Sequence, residues 1–366
     1  MRCQPPLPMF LDVALIGFGH VGRRFARLLA ERGGMLLAEQ GVTVRIVGIS
    51  TNRHGHVWAA EGVDVPAALS RVEAGRRLSD DEHEWLTPPA IINLMRGVST
   101  GLRVVVETTT LDIAAGQPAI AYVQQAFAAG CHVVTANKGP AAFAYAGLRD
   151  EARAAGVSFL FEGAVMDGIP IFNLARETLP GVEVLGFRGV VNSTTNHILS
   201  ALEDGEAFDP ALARMQDVGI AEADPSLDID GWDAAAKVAA LANVLMDARI
   251  TPLDVRREGI GPRSADAALR AIEAGRRLRL VAAAARLDDG SVEASVGPVE
   301  LQAGDLLANL RGQANALVLR TDLLGEIAVC QLTGGLTQTA YALLADLVTI
   351  CRRHAPLPAG APRRIP

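Results

Sequence analysis

The stretch Gly17-Phe18-Gly19-His20-Val21-Gly22 lies between an apolar segment, Asp12 to Ile16, and a segment that reads as a helix, Arg23 to Glu31. Glycines at that spacing, after a strand and before a helix, leave a chain few folds. The first permits a tight turn, the second lets backbone approach a pyrophosphate, and the third allows close helix–strand packing. The helix after the loop directs its free N–H groups at the anion. Further apolar segments read as strands at Val42 to Ile49, Leu102 to Glu107, Cys131 to Thr135 and Phe159 to Glu162, with a helix over Pro118 to Ala129. Alternation of this kind predicts an α/β fold with a Rossmann-type, doubly wound parallel sheet.

The second half has a different rhythm. Val182 to Asn192 reads as one or two strands, and Ala211 to Val218 and Gly231 to Met246 as helices. In the latter, Val238, Leu241, Ala242 and Leu245 form an apolar stripe of helical period. Ser291 to Val299 and Ala316 to Leu332 read as strands of an antiparallel sheet, and a final helix, Thr339 to Cys351, comes after Gly334-Gly335. At 366 residues the chain exceeds one ordinary core and suits two domains. Between His54 and Gly97 the sequence is polar, and its charged patch from Asp80 to Glu84 reads as a solvated helix start.

Several function classes are disfavoured. The net charge of −7, with both signs interspersed, argues against a nucleic-acid surface. Cys3, Cys131, Cys330 and Cys351 are scattered and form no CxxC pair, which fits a reducing compartment and gives neither zinc site nor disulfide framework. Prolines at 5, 6 and 8 stand where a signal peptide needs an apolar helix, and no apolar run reaches the roughly 18 residues of a membrane span. A cytoplasmic protein is expected, with no membrane partner.

The strand that should carry an acidic residue for the ribose 2′-hydroxyl of NAD ends instead in Ser50-Thr51-Asn52-Arg53. A neutral end with a guanidinium suits a 2′-phosphate better, so NADP is the expected cofactor and NAD the alternative. Lys138 lies just after a strand at the carboxyl edge of the sheet, where open α/β sheets bind ligands. Far downstream, Glu222, Asp224, Asp228, Asp230, Asp233 and Lys237 crowd into a region otherwise rich in alanine and leucine. Asp233 and Lys237, four residues apart, share a helix face. Alone that spacing is also how a plain surface ion pair looks. Carboxylates beside a buried face call for a cationic ligand or a metal.

With these residues in view, the chain resembles the homoserine dehydrogenases. The likeness rests on GFGHVG (17–22), VVETTT (105–110), VVTANKGP (133–140), FEGAVMDGIPIF (161–172), NSTTNHIL (192–199), GIAEADPSLDIDGWDAAAK (219–237) and GGLTQTA (334–340). Departures are Met215 for alanine, Ser193 for glycine, Met166-Asp167 for small residues, and Thr333-Gly334-Gly335 for Gly-Ala-Gly. The resemblance implies NAD(P)-dependent interconversion of L-homoserine and L-aspartate 4-semialdehyde, on the route to threonine and methionine. It implies that Gly17 to Gly22, Asn52, Arg53, Thr108, Thr109 and Lys138 contact the cofactor. Glu222, Asp228 and Asp233 would surround the substrate ammonium, Thr194 and Asn196 would line the cleft, and Lys138 and Lys237 would flank the reacting oxygen. A sodium ion held by backbone carbonyls at Glu162, Val165, Asp167 and Gly168 is implied as well.

The implied architecture is a nucleotide domain of residues 1–150 with 335–366, and an α+β catalytic and dimerisation domain of residues 151–334 in a homodimer. Burial and the second lysine are expected to lower the working pKa of the catalytic lysine, with the carboxylates opposing. Two rival readings stand beside this one: a dehydrogenase of the same fold for another amino acid or semialdehyde, and a non-enzymatic NADP sensor. The second has no reason to carry both lysines.

Overall fold

The structure, a computed structural model, describes residues 9–80, 86–98, 101–217 and 224–355. The first sheet collects β1 (Met9–Ile16), β2 (Val42–Thr51), β3 (Gly55–Trp58), β4 (Gly101–Glu107), β5 (His132–Thr135) and β6 (Phe159–Leu160), in the order β3-β2-β1-β4-β5-β6. All neighbours are parallel except β3, which folds back on β2 as a hairpin. The continuous apolar run of β1 is explained by burial on both faces. Leu11, Val13 and Leu15 enter one core, whereas Ala14 and Ile16 enter the other. Among the helices of this half are α1 (His20–Leu28), α2 (Ala119–Ala128) and α3 (Lys138–Ala154).

The second sheet is built from β7 (Val184–Val190), β8 (Arg256–Arg257), β9 (Arg276–Arg286), β10 (Val292–Gln302), β11 (Asn315–Thr321) and β12 (Glu326–Gln331), in the order β12-β11-β7-β9-β10-β8. Only the short β8–β10 pairing is parallel. One face is covered by α4 (Ser193–Glu203), α5 (Trp232–Leu245) and α6 (Arg263–Glu273), which bury Ile198, Leu199, Val238, Ala268 and Ala271 against Leu280 and Ala282. The chain then returns: α7 (Leu336–His354) packs Leu343, Leu344, Leu347 and Ile350 into the first sheet's core beside Phe25 and Leu29. The first sheet takes its last strand from Phe159–Leu160, and residue 150 lies inside α3.

Several elements differ from the sequence expectation. α1 starts at His20, directly after the loop, rather than at Arg23. The segment 316–332 is two strands joined by a turn, not one. α3, α4, α6 and β9 have no counterpart in the sequence reading. Lys-Gly-Pro at the start of α3 looks like a break, but proline is tolerated in a first helical turn, and Asn137 caps it by accepting from Gly139 N at 2.9 Å. β9 (RRLRLVAAAAR) has helix-forming composition, and pairing with β7 and β10 overrides it. Of the acidic patch, Asp80 forms a surface pair with Arg71, and residues 81–84 lie outside the described residues.

Candidate active site

The glycine loop leaves β1 as a tight turn. Gly17 has φ of +101°, and a methyl there would come within 2.6 Å of the Thr108 backbone. A methyl on Gly22 would meet the Gly17 carbonyl at 2.6 Å, so both positions require glycine. At Gly19 a methyl would meet no protein atom within 4 Å, and this residue is the N-cap of α1. No side chain caps that helix and no carboxylate sits in its first turn, which leaves its positive end to an anion. Phe18 is buried in the core beneath the loop, while His20 is exposed and Val21 half-buried.

Hydrogen bonds carry the geometry across three adjacent strand ends. Thr108, after β4, donates its hydroxyl to Gly17 O at 2.9 Å. Thr109 donates both its N–H and its hydroxyl to Glu107, at 2.8 and 2.5 Å, and Thr135 donates to the other Glu107 oxygen at 2.6 Å. Burial pushes the Glu107 carboxyl up, while these donors oppose the shift. Asn137 donates to Thr109 O at 3.1 Å. Lys138 is therefore presented from a braced ledge at the carboxyl ends of β1, β4 and β5. At the end of β2 lies a cleft of about 720 Å³ lined by Thr51, Asn52, Arg53, His56 and Arg77 among others. Asn52 and Arg53 are exposed there. Arg77 is absent from the sequence reading, because it comes from a separate, polar part of the chain.

The lysines meet on one carboxylate. Lys138 Nζ lies 3.2 Å from Asp233 Oδ1, and Lys237 Nζ lies 2.8 Å from Asp233 Oδ2. Lys237 also donates to Val191 O at 2.5 Å. Asn192, the N-cap of α4, donates to Asp228 at 2.7 Å and to Asp233 at 3.0 Å, while its carbonyl oxygen accepts from Thr195 N at 2.9 Å. Thr194 hydrogen-bonds Asp228 through its side chain. Asn196 instead anchors a loop by donating to Gly312 O and Ala314 O, at 3.1 and 3.2 Å. Asp224 and Asp230 are exposed and stand outside the cluster, with Asp224 accepting from Ser226 N. Glu222 lies outside the described residues. Asn192 is a site residue that the sequence reading misses, although an Asn immediately before Ser-Thr-Thr is the sequence signature of a helix cap.

The charges in this cluster are not equivalent. Burial disfavours the Asp233 carboxylate, but Lys237 and Lys138 outweigh it and hold this group below the usual carboxylate range. Asp228, pushed by burial and by Asp233, titrates above that range despite Asn192 and Thr194. Burial works to lower Lys237, yet Asp233, Asp167 and Asp228 together raise it. This overturns the expectation of a depressed lysine: the carboxylates win.

The loop after β6 approaches from the other side. Glu162 is buried, and its carboxylate accepts from Phe172 N at 2.8 Å and Asn173 N at 2.7 Å. Burial raises its pKa against those donors. Asp167 turns the loop with φ of +50°, accepts from the Thr339 hydroxyl at 3.2 Å, and adds to the negative field at Lys237. The carbonyls of Val165, Asp167 and Gly168 receive no hydrogen bond from the described residues. No group of three acidic, His or Cys side chains capable of holding a metal occurs among the described residues. A cation here would depend on backbone oxygens.

Known proteins place this arrangement. The profile described as homoserine dehydrogenase matches residues 170–348, and that of the homoserine dehydrogenase NAD-binding domain matches residues 17–162. The chain is 38% identical over 342 residues to the NAD(+)-dependent homoserine dehydrogenase of Pseudomonas canavaninivorans, covering 92% of this chain and 95% of that one. The crystal structure of a homoserine dehydrogenase from Thiobacillus denitrificans superposes with a TM-score of 0.78 at 31% identity, covering 98% of this chain and 76% of that one. A hyperthermophilic archaeal homoserine dehydrogenase in complex with NADPH gives 0.77 at 30% identity, covering 95% and 100%. The chain belongs to the homoserine dehydrogenase family of nicotinamide-dependent oxidoreductases.

Proposed function

We propose that the protein interconverts L-homoserine and L-aspartate 4-semialdehyde in the cytoplasm, for threonine and methionine synthesis, with NADP preferred over NAD. The observation that carries the chemistry is the pair of lysines on opposite oxygens of Asp233, beside Asp228, a second carboxylate that neither lysine contacts. The nicotinamide, when bound, supplies or accepts the hydride. Lys138 and Lys237 hold and move the proton at the substrate oxygen: an ammonium polarises the aldehyde and protonates it in reduction, and a neutral lysine accepts the hydroxyl proton in oxidation. The carboxylates around Lys237 raise its pKa and hold it as the ammonium that reduction needs, so oxidation requires that ammonium to lose its proton first.

Asp233 is occupied by both lysines, and it orients them. Asp228, with no lysine at hydrogen-bond distance among the described residues, is the better partner for the substrate ammonium, with Glu222 beside it in the assignment carried from the family pattern. Asn192 and Thr194 hold Asp228 in place. Gly17 to Gly22 cradle the pyrophosphate, and Thr108, Thr109 and Lys138 border the nicotinamide. Arg53, exposed at the end of β2 with Arg77 lining the same cleft, supports recognition of a 2′-phosphate. The carbonyls of Glu162, Val165, Asp167 and Gly168 would hold a sodium ion, which would fix the loop carrying Asp167. The division of labour is a nucleotide domain that runs through β6 and takes back residues 335–366, and a catalytic and dimerisation domain between them, so the boundary expected at residue 150 moves past Phe159–Leu160. The part of the second sheet's other face that Leu307 and Leu310 leave bare, with Gly186, Ala283, Ala285 and Ser295 around a shallow cleft of about 370 Å³, is the surface for a second copy.

The test is initial rate at the nicotinamide absorbance band with L-homoserine and either cofactor, for the wild-type chain and for Lys138→Ala and Lys237→Ala. Turnover with homoserine that falls about 10²–10⁴-fold in each variant, with nucleotide affinity retained, is the expected result. Turnover only with another amino alcohol would replace the substrate assignment. Nucleotide binding without turnover would replace the enzyme by a sensor.

A further inference from the structure

On the side of α3 away from Lys138, a second cleft of about 540 Å³ opens where the first sheet's last strand, the segment after Phe172 and the end of α5 converge. Its size falls in the range of small-ligand sites, about 300–1,000 Å³. The floor is aromatic. Phe161 sits at its centre, with ring centroids 4.9 Å from Phe159, 4.9 Å from Phe172 and 5.7 Å from Tyr145. The walls are basic: Arg149, Arg153, Arg176 and Arg353 all line it, and no carboxylate does among the described lining residues.

Those guanidiniums come from three separate parts of the chain, α3, the segment after Phe172 and α7. Convergence of like charges over an aromatic floor is costly unless something offsets it. The carboxylates that do so stand outside the lining. Asp150 and Asp247 pair with Arg149, Asp150 lies 4.0 Å from Arg153, and Glu177 serves both Arg176 and Arg353. Asp150, Asp247 and Glu177 are 61%, 66% and 51% exposed. Solvent-screened pairs of this kind are weak and exchange readily for an anion held between several forked donors.

The cleft lies at the far ends of the two helices that carry the reactive cluster. α3 begins with Lys138 and reaches the cleft through Tyr145 and Arg149; α5 carries Asp233 and Lys237 near its start and ends in the cleft with Val244 and Leu245. Asn243 of α5 donates to Ala141 O and Ala142 O of α3, each at 3.2 Å, so the helices are clasped between cluster and cleft. Between these points α3 is broken at Ala144, with φ of −141° and ψ of 16°. The register of Lys138 against Asp233 is therefore set by a helix pair whose opposite end is open to a ligand.

We infer that this cleft is an effector site for a small organic anion, its planar apolar part against the half-buried Tyr145 and Phe159 that lie over Phe161, and its anionic head among Arg149, Arg176 and Arg353. The probe is phenyl phosphate, titrated calorimetrically into the full-length protein saturated with oxidised nucleotide, which keeps the probe from the glycine loop. Saturable binding of one probe per chain is expected. It should weaken about tenfold or more in Arg149→Ala and in Arg176→Ala, with inorganic phosphate weaker than phenyl phosphate by a similar factor. Unchanged unfolding midpoints and basal kinetics of both variants confirm that they fold. In the rate assay the probe should change the apparent KM for the amino-acid substrate about fivefold in the wild-type chain and leave both variants unaffected.

No binding at millimolar probe, or binding indifferent to both arginines, overturns the site. Binding without any kinetic effect overturns the effector role. The calorimetric arm does not depend on the identity of the substrate, so its failure is distinct from a failure of the proposed reaction.

Discussion

Replacing Asp233 by Asn tests the centre of the proposed chemistry. The carboxylate accepts from Lys138 on one oxygen, and from Lys237 and Asn192 on the other. An amide has one acceptor oxygen and one NH2 group. Its oxygen can face Lys237 and Asn192, but the NH2 group then points at Lys138, donor against donor. Lys138 must move, and Lys237 loses its countercharge while staying buried. At 2.8 Å and an effective dielectric of about 20, the Lys237–Asp233 attraction is on the order of 6 kcal/mol. Burial and rearrangement take back much of this, and removing one member of a buried pair typically costs about 3–5 kcal/mol. Because the two side chains keep 13% and 18% exposure, the lower end applies. Urea unfolding at neutral pH should register that loss.

The pH dependence is set by the direction of each shift. Asp233 is depressed, so its stabilising contribution is fully present above the unfolded pKa near 3.8 and is lost as the pH falls through the folded value. Lys237 is raised, so its contribution is present below 10.5 and is lost as the pH rises through the folded value. In Asp233→Asn the acid-side loss from this residue disappears. Burial then acts on Lys237 against Asp167 and Asp228 alone, so the rising limb of the homoserine oxidation profile, where the lysine becomes neutral, should move to lower pH. An Asn variant with wild-type stability and an unmoved rate profile would refute the two-lysine clamp.

Three further outcomes are expected. Arg53→Ala should weaken NADP about ten- to a hundredfold, the worth of one charge-assisted bond at about 1.5–3 kcal/mol, and spare NAD; equal losses in cofactor titrations return Arg53 to an ordinary surface role. Glu203→Gln should destabilise the second domain by about 3–5 kcal/mol in urea unfolding, because fully buried Arg279 loses the carboxylate it meets at 2.6 Å. Glu203→Leu with Arg279→Met should recover part of that, but not all, since Leu310 O and Ala308 O lose their guanidinium donors; a single variant as stable as the wild type contradicts this. Sedimentation at micromolar concentration should give a dimer, and a species of 38.5 kDa would contradict the assignment of the bare sheet face.

The sequence is most readable where one local rule decides the structure. Glycines at 17 and 22 are required by contacts of their own backbone, so the loop announces itself, and the strands of a sheet buried on both faces appear as unbroken apolar runs. Legibility fails where partners are distant. Nothing near β9 explains why an alanine- and arginine-rich segment should be a strand; Arg279 within it answers to Glu203 and to the carbonyls of residues 308 and 310. In the acidic stretch, composition suggests a carboxylate-lined pocket, but only some of its members turn inward. The short helix Ser226–Ile229 brings Asp228 to Asn192 and leaves Asp224 and Asp230 in solvent, a sorting by helical phase that composition cannot carry.

The direction of the Lys237 shift escapes the sequence for a related reason. The expected lowering weighs burial and the second lysine above the carboxylates, whereas the fold seats Asp233 directly on Lys237 and adds Asp167 from the loop after β6. The position of each charge then decides the outcome. Among the described residues, Asp233 is the one carboxylate in the cluster that touches both ammoniums. Lys138 stands on the ledge of the first sheet, whereas Lys237 and Asp233 stand on a helix packed against the second. The Lys138–Asp233 contact is thus a charge pair across the line where the two parts of the fold meet. Any relative motion that opens the cleft lengthens that pair, removes a countercharge from Asp233 and changes the field at Lys237. On the proposed assignment of the lysines, proton transfer and the spacing of the two parts of the fold are coupled through one carboxylate, which both ammoniums contact.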